Sequence, residues 1–366
     1  MASITIKQVT DCLEQWAPRI FQEEYDNSGL ITGHQHDTVT GILVTLDCTE
    51  AVVDEALAHS CNLIVAHHPI LFKGIKRLTG QTYVERVLIK AIKNNIAIYA
   101  IHTNLDNILT GVNKRIADRI GLVNQQILAP KKNTLLKLVT FIPTEHAESV
   151  TDALHRAGAG QLGNYKNCSF RISGTGTYRP TENANPFQGT PGKLESADEV
   201  RVEVILPVSS KANVLAALRK THPYEEIAFY LNELENENQE VGSGIIGDLP
   251  EPEAALAFLK RLKLVMKAGC IRYTQPVPEI RKVAICGGSG SFLLPVAIAK
   301  GAQAYISADF KYHEFFDSDQ KIMIADIGHY ESEQFTKDLL GEFLTENFPT
   351  FAIVFSKVVT NPISYL

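Results

Sequence analysis

"LIVAHHPILF", residues 63–72, places an unbroken apolar run, Leu63-Ile64-Val65-Ala66, directly before two adjacent histidines. A run without polar alternation is the mark of a parallel strand covered on both faces. His67 and His68 face opposite ways if the strand continues, and converge if the chain turns at Pro69. The same grammar recurs on either side. GILVTL (41–46) runs into Asp47, and IAIYAI (96–101) runs into HTNLDN. A helix follows each strand: TEAVVDEALAHS with Thr49 as its cap, a second near 81–94, and a third ending at Ile120. Strand alternating with helix predicts an α/β layered fold.

The chain has 366 residues, more than one typical compact core, so two domains are expected. Near residue 125 the rhythm changes. KLVTFIP (137–143) reads as a strand and EHAESVTDALHRAG as a helix, followed by a Gly/Thr/Asn/Pro-rich stretch over 158–197. EVRVEVILP, KANVLAALRKTH and IAFYLNEL then give strand, helix and strand. This β-α-β-β-α-β order predicts a small ferredoxin-like α+β unit over 125–237, closed by the polar run ELENENQEVGSG. The α/β rhythm resumes with GIIGDL before a helix at 251–263 and KVAICGGSGS before a helix at 292–300. AQAYISADF follows, and then KIMIADI (321–327), which leads into GHYESEQFTKDLLGEFL. The economical architecture is one α/β domain built from residues 1–124 and 238–366, with the second domain inserted in it.

Composition removes several function classes. Net charge is −6 and the 35 basic residues form no run of five, which argues against a nucleic-acid surface or a polybasic membrane anchor. The six cysteines contain no C-x-x-C pair, so neither a disulfide framework nor a zinc ribbon is expected. No apolar stretch approaches the ~18 residues of a membrane span, and no secretory signal is evident at the start. A cytoplasmic protein is expected.

In open α/β sheets, ligand-binding groups gather beyond the carboxyl ends of the strands. Four such ends carry suitable chemistry: His67-His68, His102 with Asp106, the Gly287-Gly288-Ser289-Gly290 loop, and His329 with Glu333. His329 and Glu333 are four apart at a helix start, which puts imidazole and carboxylate on one face. His67, His68, Asp106, His329 and Glu333 offer three nitrogens and two carboxylates, a mixture suited to Zn, Mn, Fe or Co. Two ions sharing a carboxylate would use the whole set and keep open positions, with Glu333 the expected bridge. The ordinary alternative is a set of hydrogen-bonded polar residues at strand edges.

Weaker signals surround these. The Gly287–Ser289 amides offer an anion nest, or a simple tight turn. Asp309 and His313, in ADFKYHEFF, are candidates for proton transfer or for positioning a ligand, as is Asp47, with solvent-facing polarity as the alternative. GAGQLG (158–163) matches G-x-G-x-x-G but follows a helix, the reverse of the dinucleotide context. HPYEE (222–226) reads as a helix-to-strand turn.

YDNSGL, AHHP, HTNLD, GGSG, ADFKYH and GHYESE occur in this order. Together they resemble the family of GTP cyclohydrolase I type 2 homologues, also called NGG-interacting-factor-like proteins. The resemblance covers roughly 1–124 and 238–366, and the middle segment is similar to the PII/CutA-like insert of longer bacterial members. Tyr25 stands where the family often has Trp. The resemblance implies two divalent metal ions per subunit on His67, His68, Asp106, His329 and Glu333, and a homohexameric ring. It further implies a small-molecule substrate, GTP, opened at C8 of the purine with loss of formate. Asp309 or His313 would move protons, and Gly287, Gly288 and Ser289 would hold phosphate oxygens. Another metal-dependent hydrolase and a non-catalytic regulatory ring remain the rival functions.

Overall fold

The continuous apolar runs become buried parallel strands. In the computed structural model, which describes residues 3–275 and 277–366, Ile42–Thr45, Leu63–Ala66 and Ala97–Ala100 lie side by side, every residue buried. Register pairs Thr45 with Ala66 and Ala66 with Ala100, so the three strands end level. Ile353–Phe355, from the far end of the chain, joins one edge in parallel, and Gly29–Thr32 closes the other edge antiparallel. Helices Glu50–Ala58 and Tyr83–Lys93 make the crossovers. Thr49 and Thr82 cap them, accepting from the amides of Val52 and Glu85. Their apolar faces pack Val52, Val53, Val87 and Leu88 against Leu43, Ile64 and Ile98. Each such burial contributes about 1.5–3 kcal/mol.

A second sheet takes the later segment. Glu279–Ser289, Ala304–Ala308 and Met323–Asp326 run parallel, flanked antiparallel by Gly242–Ala254 on one side and Arg272–Tyr273 on the other. Val123–Pro130, from the earlier segment, pairs with Gly242–Ala254 through Ile127 opposite Ile245. Each segment therefore lends one strand to the other's sheet, which binds Met1–Pro130 and Glu240–Leu366 into one compact unit.

Lys131–Gln239 forms the other unit. Its four strands are all antiparallel, in the order Phe170–Tyr178, Glu195–Pro207, Leu135–Pro143, Phe229–Leu234. Helices Ala147–Arg156 and Lys211–Thr221 cover one face over Leu138, Val202 and Val204. This is the strand order of a ferredoxin-like unit. The glycines of GAGQLG bend the chain after a helix, with Gly158 and Gly160 at φ 105° and 81°. His222 ends helix Lys211–Thr221 and hydrogen bonds the Phe141 carbonyl at 2.9 Å.

Three local expectations shift. Strand Gly242–Ala254 runs through the expected start of a helix at 251, and the helix is Ala255–Val265. Two prolines, Pro250 and Pro252, keep that stretch extended. Gly287–Ser289 belong to strand Glu279–Ser289 instead of forming a loop. The final helix divides into His329–Glu333 and Thr336–Asn347. Among the described residues no helix is long and apolar enough to cross a membrane.

Candidate metal centre

The two histidines of LIVAHHPILF extend their strand by one step each. The amides of His67 and His68 donate to Thr45 O and Leu46 O at 3.2 and 2.9 Å. Their rings are then pulled toward the ends of different neighbouring strands. His67 Nδ1 donates to Ile101 O at 2.8 Å, and His68 Nδ1 to Asp47 Oδ1 at 2.7 Å. His102 follows the third strand and donates from Nδ1 to Asp26 Oδ1 at 2.8 Å. From the second sheet, His329 donates from Nδ1 to Asp309 Oδ2 at 2.7 Å. All four Nδ1 atoms face oxygen acceptors, which fixes the proton there and turns each Nε2 inward. Oriented imidazoles of this kind are the usual support of metal-ligating histidines.

Two carboxylates complete the cluster, Glu333 buried and Asp106 half-buried. Glu333 Oε2 lies 2.9 Å from His68 Nε2, 3.1 Å from His329 Nε2 and 4.0 Å from His67 Nε2. Asp106 Oδ1 lies 3.6 Å from His67 Nε2, and both atoms are buried without a hydrogen-bond partner among the described residues. Three overlapping triads could hold an ion: His67, His68 and His102; His68, His329 and Glu333; His67, Asp106 and Glu333. Donors about 2.1 Å from one tetrahedral ion stand about 3.4 Å apart, close to these spacings. The donor set therefore fits divalent metal.

Electrostatics agree. Burial holds His67 down to about 3, so it is a neutral donor at ordinary pH. Burial opposes protonation of His68, yet Asp47 and Glu333 raise it to about 10; Glu333 and Asp309 raise His329 to about 11. Burial, with Glu333 nearby, pushes Asp106 well above the carboxylate range. Burial opposes ionisation of Glu333, but His329 and His68 hold it well below its ordinary value. Protons on two imidazoles stand where cations balance Glu333 in a metal site.

The glycines serve this carboxylate. The Gly287 amide donates to Asn113 Oδ1 at 2.8 Å and the Gly288 amide to Ser332 Oγ at 2.9 Å. Two of the three amides expected to cradle phosphate are thus committed to side chains, which corrects the anion-nest expectation for Gly287 and Gly288. Gly288, at φ 63°, leaves the space that Glu333 Oε1 fills. Asn113 also donates to Asp106 O at 3.0 Å, tying the two sheets together behind the site.

His67, His68, Asp106, His329 and Glu333 all meet in this cluster. Asp309 is half-exposed and orients His329, and Ser289 lines the cavity in front. His313 is exposed on the 3₁₀ turn Tyr312–Ser318, packs against Tyr312 and Phe316, and is absent from the cavity wall among the described residues. The structure adds His102, left out of the expected ligands, and Asp26 behind it. HTNLD and YDNSGL held the signal, but their juxtaposition spans 76 residues.

Asp26 is a hub. Besides His102 it accepts from Asn27 N–H, Ser28 Oγ, Thr103 N–H and Thr103 Oγ. Burial opposes its charge, but His102 and Thr103 hold its carboxyl far below the usual range. Asp26→Asn is expected to lower metal affinity about 10–100-fold and stability by about 1.5–3 kcal/mol. Metal titration and urea unfolding check this; unchanged values in both would remove Asp26 from the centre.

The cavity in front measures about 790 Å³. Tyr25, Phe72, Tyr83, Phe292 and Tyr330 give its wall aromatic faces, and Thr360 and Asn361 close one side. Thr360 donates to Asp47 Oδ2 at 2.5 Å, so the C-terminal segment supports the His68 partner.

The model of the Duf34/NIF3 family, NGG1p interacting factor 3, matches residues 4–362. This chain belongs to the Duf34/NIF3 family. It is 38% identical over 364 residues to a Halalkalibacterium halodurans protein named GTP cyclohydrolase 1 type 2 homolog, covering 98% of each chain. A Bacillus subtilis protein of the same name is 34% identical over 371 residues, covering 100% of this chain and 99% of its own. Among solved structures, a Bacillus cereus protein related to NIF3 superposes with a TM-score of 0.88 at 35% identity, each chain fully covered.

Proposed function

We propose that this chain is a dinuclear metal-dependent hydrolase acting on a small heterocyclic substrate. One observation carries the reading: three imidazoles, each fixed at Nδ1, direct Nε2 toward Glu333 and Asp106 at the edge of a cavity, and a fourth, His102, fixed in the same way, stands beside His67 and His68. Glu333 belongs to two of the triads, one with His68 and His329 and one with His67 and Asp106, as a shared ligand would. His68, His329 and Glu333 would hold one ion; His67 and Asp106, sharing Glu333, would hold the other, with His102 beside them. Bound divalent ions of the zinc, iron, manganese or cobalt type supply Lewis acidity and a water acidified toward pKa ~7. Asp47, Asp26 and Asp309 keep the ring protons on Nδ1, and the aromatic wall excludes water and stacks a planar ring.

The finer reading is opening of the GTP purine ring at C8 with release of formate, in line with the names of the relatives. The aromatic wall suits the purine. The cavity wall, however, carries the carboxylates Glu23, Asp47, Asp106 and Glu333, enough to offset the four charges of two divalent ions, and no Lys or Arg lines it among the described residues. The reacting part of the substrate is accordingly the heterocycle. The ferredoxin-like unit is proposed as a PII/CutA-like module, and the assembly as a cytoplasmic homohexamer, which light scattering tests by mass.

Metal analysis followed by incubation with GTP, reading formate and pterin fluorescence, tests the reaction. Turnover dependent on metal is expected; a protein that cannot be loaded with metal removes the proposal. Loading at pH 7 is expected to expel protons from His68 and His329, and from Asp106 to the extent that burial keeps it protonated, read by calorimetry in buffers of different ionisation heat. Affinity then climbs with pH until both rings are neutral. In the metal-free chain the sign reverses. The raised imidazoles stabilise the fold fully below pH 6.5, and that stability is lost as pH passes 10 to 11.

A further inference from the structure

Lysines and arginines missing from the cavity wall stand just outside it. The loop that follows His67-His68-Pro69 carries Lys73, Lys76 and Arg77, all exposed, into a groove of about 450 Å³. Groove and cavity share Ile70, Phe72 and Tyr83, so they are contiguous across two aromatic rings. The two basic residues of the adjoining helix nearest the groove are paired, Arg86 with Glu50 at 2.8 Å and Lys90 with Asp54 at 2.5 Å. The loop cations have no such partner among the described residues. Glu85 is the carboxylate lining the groove, and it is occupied with the loop itself. Its Oε2 accepts from Thr79 N–H at 2.8 Å, Thr79 Oγ at 2.9 Å and Gln81 N–H at 3.2 Å; its Oε1 accepts from Thr82 Oγ at 3.2 Å. Those bonds pin the loop to the first turn of helix Tyr83–Lys93, whose positive end faces the same groove.

Charge is thus unevenly divided: carboxylates and imidazoles in the cavity, and in the groove beside it three cations against the single carboxylate of Glu85. We propose that the groove is an anion subsite for a phosphate-bearing arm of the substrate, reaching over Phe72 and Tyr83 while the ring reacts at the metal centre. The assignment rests on the hydrolase reading for the reacting end only. Three cations around one short groove match a polyphosphate better than a single carboxylate, because each can meet a separate phosphoryl oxygen.

Inorganic tripolyphosphate is the probe, titrated calorimetrically into the full chain as purified, at low and high salt. The parent is expected to bind, more weakly at high salt. The triple variant Lys73→Gln/Lys76→Gln/Arg77→Gln is expected to bind at least tenfold more weakly. Glu333→Gln is expected to bind within twofold of the parent, because the subsite does not use the metal centre. That pair of results upholds the subsite even if no turnover is found, which separates it from the hydrolase reading. Absent binding by the parent, binding unchanged in the triple variant, or binding lost in Glu333→Gln overturns the proposal. Melting curves of both variants check that the fold is intact.

Discussion

Glu333→Gln is expected to empty the centre and abolish turnover. Glu333 Oε2 lies within 4.0 Å of three imidazole Nε2 atoms, and the carboxylate is 3% exposed. The amide preserves shape but removes the charge that both flanking imidazoles and any two bridged ions rely on. Outer-sphere carboxylates already cost about 10–100-fold in metal affinity when removed; a shared ligand costs more, so bound metal should fall below one ion per chain. His68 and His329 then lose a main source of their elevation, and their titration moves down toward ordinary imidazole values. Metal content by mass spectrometry and imidazole titration by NMR check the two effects. Parent-like metal content together with parent-like turnover would dismiss Glu333 as the bridge. Asp309→Asn, which removes the charge that accepts from His329 Nδ1, is expected to fall between parent and Glu333→Gln.

Gly288→Ala should be nearly as damaging, for a steric reason. At φ 63° a side chain is strained whatever its surroundings, at about 1 kcal/mol. The added methyl would also overlap Glu333 Oε1 and reach 3.3 Å from His329 Cε1. Overpacking of that kind costs about 1–3 kcal/mol more. Because the obstacle is a ligand, the loss should appear in metal content as well as in the melting temperature. Gly301→Ala separates the two causes: Gly301 has φ 74°, and a methyl added there would meet nothing within 4 Å. It should lose only the backbone share and keep its metal. Equal losses of metal in both variants would show that space for Glu333 is not what Gly288 provides.

The sequence was most legible where physics is local. LIVA, ILVT and AIYA are buried from end to end as parallel strands because nothing polar interrupts them. Thr49 caps its helix through its own side chain. His329 and Glu333 share a face through helical spacing, 3.1 Å apart. His102 was visible beside Asp106 but lacked a reason to be a ligand, because its orienting partner Asp26 is distant in the chain. GGSG reads as a phosphate loop by composition; it is strand because Asn113 and Ser332 take its amides and Glu333 needs its missing side chains. His313 shared a motif with Asp309, yet the 3₁₀ turn sends it to the surface.

Most of the strands, the helices between them, the interruption by a second unit and five residues whose chemistry suits a metal could be read from the chain alone. Apolar periodicity and side-chain chemistry are properties of short segments, so they survive without a fold. Only the tertiary structure decided that these residues meet. His68 and Glu333 lie 265 positions apart and 2.9 Å from each other. That distance exists because each chain segment lends a strand to the other's sheet. The carboxyl ends of the parallel strands in the two mixed sheets then bring their residues to one site, and no local preference encodes that meeting.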